Sequence, residues 1–186
     1  MQPHWDYFAG SDLQCSKFQS FRLQNHHIPP SPWLKDSIIP ILEKNSNRYD
    51  FGELDMENIM TTLELSNCSL SADDMSALAA FLGKNTTLRS LDLSQNNIES
   101  VETVKTFAKA IKKHPALRDI CFAHCSIGGG DKDVLEKLLV ACKECDSLEI
   151  GHCDFTSEGV AMIAKFLSRK MSLTSFSLVS VYCSAC

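Results

Sequence analysis

In a chain of 186 residues, 18 Lys and Arg stand against 23 Asp and Glu, and the formal charge of -5 removes the electrostatic footing that nucleic-acid binding needs. Apolar residues make up 44% and charged residues 22%, a balance that belongs to packed globular proteins and excludes disorder. No run of about 18 apolar residues occurs, and Met1 to Gly10 has neither a basic nor an apolar leader, so neither a membrane nor export is expected and the expected compartment is the cytoplasm. Nine cysteines, an odd count without an export signal, argue against a disulfide scaffold.

In chain order, residues 1–17 read as an N-terminal cap or a degenerate repeat. Residues 18–45 form a divergent unit: Phe18, Phe21, Leu23, His26 and Ile28 keep a strand-like apolar frame. Pro29, Pro30 and Pro32 then stop it, and Asp36 to Lys44 reads as a short helix in which Pro40 is tolerable only near the first turn. Residues 46–57, with Tyr49, Asp50, Phe51 and Gly52, have no counterpart elsewhere; they form an insertion, either a binding loop or a variable surface loop.

From residue 58 to 186 the chain repeats itself. Leu88, Leu91, Leu93, Asn96 and Ile98 set a frame, LxxLxLxxNxL. It recurs at Met60, Leu63, Leu65, Cys68 and Leu70; at Leu117, Ile120, Phe122, Cys125 and Ile127; and at Cys145, Leu148, Ile150, Cys153 and Phe155. The second frame position falls at 63, 91, 120, 148 and 176, in steps of 28 or 29 residues. A fifth copy starts with Leu173, Phe176 and Leu178, places Val181 in the Asn/Cys slot, and is expected to be truncated.

Between these strands lie helical segments in register, with Leu78, Phe107, Leu135 and Ile163 in one column and Leu82, Ile111, Leu139 and Leu167 in another. Ser71 with Asp74 predicts a capped start for the first helix, Ser100 opens the second, and Gly159 permits a close turn into the fourth. Asn85, His114, Cys142 and Lys170 occupy the helix exits. A single strand–turn–helix unit cannot bury its own apolar face, so the units must stack.

This pattern resembles the long, helix-bearing leucine-rich repeats of the ribonuclease-inhibitor class, which occur in NOD-like receptors, Ran GTPase-activating proteins and the tropomodulin and CARMIL families. The resemblance covers residues 58 to 183 well and 18 to 45 weakly. It implies an α/β solenoid, an open horseshoe arc with a parallel β-sheet on the concave face and helices on the convex face. The implied function is a non-enzymatic scaffold that binds a protein partner, with a Ran-type GTPase activator or a sensor fragment of a NOD-like receptor as alternatives.

Strand residues between the core leucines are expected on the concave face. They include Arg22, Glu64, Asp92, Cys121, Glu149 and Ser177, with Asp119 in the row beside them. Carboxylates dominate, so a Lys- or Arg-bearing partner would be steered to Glu64, Asp92, Asp119 and Glu149, with a solvated face as the alternative. His124 and His152 fall at equal frame positions on adjacent units, should be neighbours, and are expected with Arg22, Glu64, Asp92, Asp119 and Glu149 among the partner-binding residues of this face.

As a metal site that pair is disfavoured, because Cys125 and Cys153 fill the structural Asn/Cys slot. Two CxxC pairs, Cys142–Cys145 and Cys183–Cys186, would signal zinc in a non-repetitive chain, but Cys145 and Cys183 take core positions of the frame. Gly128-Gly129-Gly130 is a strand-to-helix turn, and Lys105, Lys109, Lys112 and Lys113 form a basic stripe on one helix. No catalytic residue, cofactor or metal is expected. The open repeat ends are expected to permit self-association.

Overall fold

The computed structural model describes residues 19–24, 34–46, 60–127, 131–153, 155–169 and 172–178. The cap at 1–17, nearly all of the insertion, His26, the Gly128–Gly130 turn, Lys170, Val181, and Cys183 with Cys186 lie outside the described residues. The elements are β1 (Ser20–Arg22), α1 (Ile39–Ser46), β2 (Thr62–Glu64), α2 (Ala72–Lys84), β3 (Ser90–Asp92), β4 (Asn97–Ile98), α3 (Val101–Lys113), β5 (Asp119–Cys121), β6 (Ser126–Ile127), α4 (Lys132–Ala141), β7 (Ser147–Glu149), α5 (Ser157–Leu167) and β8 (Ser175–Ser177).

Among the described residues, six strands form one parallel sheet in the order β1-β2-β3-β5-β7-β8. Each strand pairs with the next without slippage: Phe21 lies beside Leu63, Leu63 beside Leu91, Leu91 beside Ile120, Ile120 beside Leu148, and Leu148 beside Phe176. A one-residue slip would turn every apolar side chain to solvent, so burial on one face fixes the register. The divergent first unit therefore joins the same sheet across its insertion. A second, two-stranded sheet, β4 with β6, is an addition that the apolar frame does not announce.

The helices start where short polar side chains satisfy their first N–H groups. Ser71 and Asp74 form a reciprocal capping box on α2, Ser100 caps α3, Asp131 caps α4 and Thr156 caps α5. The first helical segment departs from expectation in its beginning. A single π-helical turn, Leu34–Ile38, precedes α1 and buries Leu34 and Ile38. The π turn runs directly into α1, so Pro40, the second residue of α1, follows a helical turn rather than opening one, and the wider turn before it accommodates a residue with no N–H to donate. At α5, a Cβ on Gly159 would lie 3.3 Å from Leu135 Cδ2, so glycine lets that helix seat closely against α4.

One continuous core runs through the units, from Leu23 and Leu34 to Ile163 and Phe166. Two polar ladders stitch it. In the Asn/Cys slot, the thiols of Cys68, Cys125 and Cys153 donate to the carbonyls of Leu23, Leu93 and Phe122, each in the preceding unit, at 3.0, 3.2 and 3.3 Å. Asn96 does more: its amide donates to Leu65 O at 2.8 Å, while its Oδ1 accepts from the N–H groups of Cys68 and Leu70. At the helix exits, Asn85 Oδ1 accepts from Thr87 and Leu88 N–H and lies 3.0 Å from His114 Nε2. His114 Nδ1 accepts from Leu117 N–H at 3.1 Å, which fixes the tautomer with the proton on Nε2.

Candidate functional site

The concave face is built from the strand residues on either side of the buried apolar ladder. Because every pairing keeps register, the intervening side chains also form rows. Arg22, Glu64, Asp92, Cys121, Glu149 and Ser177 run across the sheet in one row, and Ser20, Thr62, Ser90, Asp119, Ser147 and Ser175 in the other. Neighbours in a row sit about 4.8 Å apart. The expected site residues Arg22, Glu64, Asp92, Asp119 and Glu149 thus lie on one surface.

Their electrostatics are uneven along it. Arg22 Nε reaches Glu64 Oε1 at 3.0 Å, and Gln24 Nε2 donates to Glu64 Oε2 at 2.9 Å. Glu64 is therefore matched by a cation, and the acidic character of the face concentrates further along, on Asp92, Asp119 and Glu149. Asp92 uses Oδ1 to accept from Ser94 N–H at 2.8 Å, which fixes its direction at the strand end. Cys121 interrupts the carboxylate row and points its thiol at Glu149 Oε2, 3.5 Å away. Burial pushes that thiol up to about 12, with the Asp92 and Glu149 carboxylates adding to the shift against a hydrogen bond to the Ala123 backbone. It stays protonated and is no nucleophile.

A polar rim borders the carboxylates. Asn67, Gln95, His124 and His152 occupy the same turn position in four successive units, and all four adopt a left-handed backbone, with φ of 51, 58, 57 and 56°. Such a conformation costs a non-glycine residue roughly 1–2 kcal/mol. The geometry directs three backbone N–H groups into the neighbouring unit, from Asn67 to Ser94 O, Gln95 to Ala123 O and His124 to Gly151 O. The side chains are left to line the rim. His124 and His152 stack, with ring centroids 4.0 Å apart and planes 5° from parallel.

Parallel rings hold their nitrogen lone pairs in parallel planes, so the pair does not converge on a single ion. Among the described residues, no group of three or more His, Cys, Asp or Glu is placed to hold a metal. No described helix is long and apolar enough to cross a membrane.

Two features of this face escaped the sequence. Gln24 lies past the end of its strand, and nothing in the apolar frame marks it as a partner of Glu64. The rim was visible in outline, since Asn67, Gln95, His124 and His152 are spaced by 28 or 29 residues, but only the backbone reveals the shared left-handed turn.

Comparison with known proteins agrees with this architecture. A family model described as "Leucine Rich repeat" matches residues 84–101 and 147–164. "NACHT, LRR and PYD domains-containing protein 13" of Homo sapiens is 28% identical over 110 residues, covering 59% of this chain and 10% of that protein. "NACHT, LRR and PYD domains-containing protein 4C" of Mus musculus is 29% identical over 118 residues, covering 62% and 11%. The chain thus spans about a tenth of the length of these curated relatives. Among solved structures, "Leiomodin-1 Actin-Binding Site 2 (ABS2)" superposes with a TM-score of 0.59 at 20% identity, covering 81% of this chain and 79% of that one, a likeness of fold. Repeat frame, in-register parallel sheet, helix-bearing units and these matches together show a leucine-rich-repeat fold, similar to that of these proteins.

Proposed function

We propose that the chain is a non-enzymatic cytoplasmic scaffold that docks a protein partner on its concave face. The carrying observation is the in-register placement of Asp92, Asp119 and Glu149 beside the stacked His124 and His152, on a sheet held rigid by its sealed leucine ladder. A rigid, extended surface loses little conformational freedom on binding, so a few anchors suffice. The partner this face suits carries Lys or Arg opposite the three carboxylates, with Arg22 and Glu64 matched to each other at one end. An open sheet of this kind excludes water poorly, which suits recognition better than acid–base catalysis.

The test is a pair of charge reversals. Asp92→Lys, Asp119→Lys and Glu149→Lys together should weaken partner capture by roughly tenfold per residue at low salt, with a smaller effect at high salt. Lys109→Glu, Lys112→Glu and Lys113→Glu on the convex α3 should leave capture unchanged. Equal loss from both sets, or from neither, rules out the concave face. A second reading, a repeat segment of a NOD-like receptor sensor, is favoured by the two NACHT-containing relatives. It requires a full-length transcript that encodes a nucleotide-binding domain, and a transcript without one removes it.

A further inference from the structure

Six cysteines among the described residues carry free thiols. Four of them point at oxygen: Cys68, Cys125 and Cys153 donate to carbonyls of the preceding unit, and Cys121 faces Glu149. Burial holds Cys125, like Cys121, up to about 12, so both remain poorly reactive thiols. Cys142 and Cys145 differ, because each has the other's sulfur as its partner.

Their backbone closes a 3-10 turn, Cys142–Glu144, with Cys145 N–H donating to Cys142 O at 3.0 Å. A rise of about 2 Å per residue sets their Cα atoms about 6 Å apart, within the window of about 4.4–6.8 Å that a disulfide spans. Both side chains are buried, yet Lys143 and Glu144 between them are exposed, so opening this one turn uncovers both sulfurs. The same turn anchors the last strand. Ser172 Oγ donates to Lys143 O and Cys145 O at 3.2 and 3.1 Å, and Thr174 and Ser175 N–H donate to Asp146 O at 2.8 and 3.0 Å.

We propose that Cys142 and Cys145 form a reversible disulfide site, an oxidisable dithiol in the turn that holds β8 to the array. The oxidant is a small-molecule disulfide of the glutathione type. Cys145 is the first nucleophile: the hydrogen bond it receives from Cys142 lowers its pKa, opposed by burial and assisted by Arg118. Its thiolate attacks one sulfur of glutathione disulfide, forming a mixed disulfide and expelling one glutathione thiolate. Cys142 then gives up its proton, attacks Sγ of Cys145 and expels the second. The protein loses two electrons and two protons; one disulfide is reduced to two glutathione thiols, which carry those protons. Closing the ring reshapes the turn and loosens its hold on β8.

The experiment uses the full chain with Cys15, Cys183 and Cys186 changed to serine, incubated folded in buffers of reduced and oxidised glutathione, then alkylated and mapped by mass spectrometry. Cys142 and Cys145 should lose alkylation together and appear as one internally linked peptide, reversed by dithiothreitol, while Cys68, Cys125 and Cys153 stay reduced. Cys142→Ser should stop at glutathione on Cys145. Amide exchange at Thr174 and Ser175 should quicken about tenfold in the oxidised chain, as expected for the loss of about two hydrogen bonds. A pair that stays reduced while glutathione is fully oxidised, or that oxidises only in urea with the other thiols, overturns the site. Unchanged exchange at Thr174 and Ser175 overturns its coupling to β8.

Discussion

The interior units and the last described one place apolar residues in the same frame positions and reach different environments. Leu63, Leu91, Ile120 and Leu148 are 2% exposed or less, whereas Phe176, the next rung, is only half-buried. On the helices, Leu82, Ile111 and Leu139 are 4% exposed or less, but Leu167 in the same column is 41% exposed. An apolar side chain in a repeat is buried by the unit that follows it as much as by its own. Stability in such an array therefore depends on nearest-neighbour interfaces rather than on any single unit.

The largest test of this contrast is a matched pair of truncations. Leu91→Ala opens a cavity between two sealed units and should cost about 3–5 kcal/mol in urea unfolding. Leu167→Ala should cost less than about 1 kcal/mol, since little burial is lost. Comparable losses would mean that the outer face of α5 is covered as well as the interior.

Within the interior, the Asn/Cys ladder offers a finer comparison. Asn96→Ala strands the Cys68 and Leu70 N–H groups and the Leu65 carbonyl in the core, and should cost about 2–3 kcal/mol. Cys125→Ala removes one weak donor from Leu93 O and a small apolar volume, for about 1 kcal/mol. Urea midpoints of the two variants, measured side by side, should keep that order.

A comparison of another kind is the dependence on pH. Burial, and then Arg118, hold His114 down to about 4 from its ordinary 6.5. Between these values the unfolded chain binds a proton that the folded chain refuses. This contribution to stability is fully present above pH 6.5 and is lost as pH falls toward 4, by about 1–3 kcal/mol. Protonation would place a donor at Nδ1 against the Leu117 N–H that it now accepts from. Unfolding midpoints between pH 7 and 4 should decline for the parent chain and decline less for His114→Gln.

Much of the fold was legible because period 28 with an alternating apolar frame admits a single stacking. The strand ladder, the helix columns, the Ser71–Asp74 box and the juxtaposition of His124 with His152 all follow from it. What periodicity does not encode is the rotamer and the local partner. The Arg22–Glu64 pair spans 42 residues and an insertion, so only the sheet reveals that the acidic row is matched at one end. Cys145 reads as a core rung and Cys142 as a helix exit, and both readings hold. Their mutual contact arises from a 3-10 turn that the frame leaves unspecified.

The whole arrangement rests on the interior ladder, and methyl-methyl NOEs in a chain labelled at Leu and Ile test it most directly. Cross-peaks should connect Leu63 to Leu91, Leu91 to Ile120 and Ile120 to Leu148, with none between Leu63 and Leu148. Missing neighbour peaks, or a direct Leu63–Leu148 peak, would contradict a stacked parallel sheet and dissolve the surface built on it.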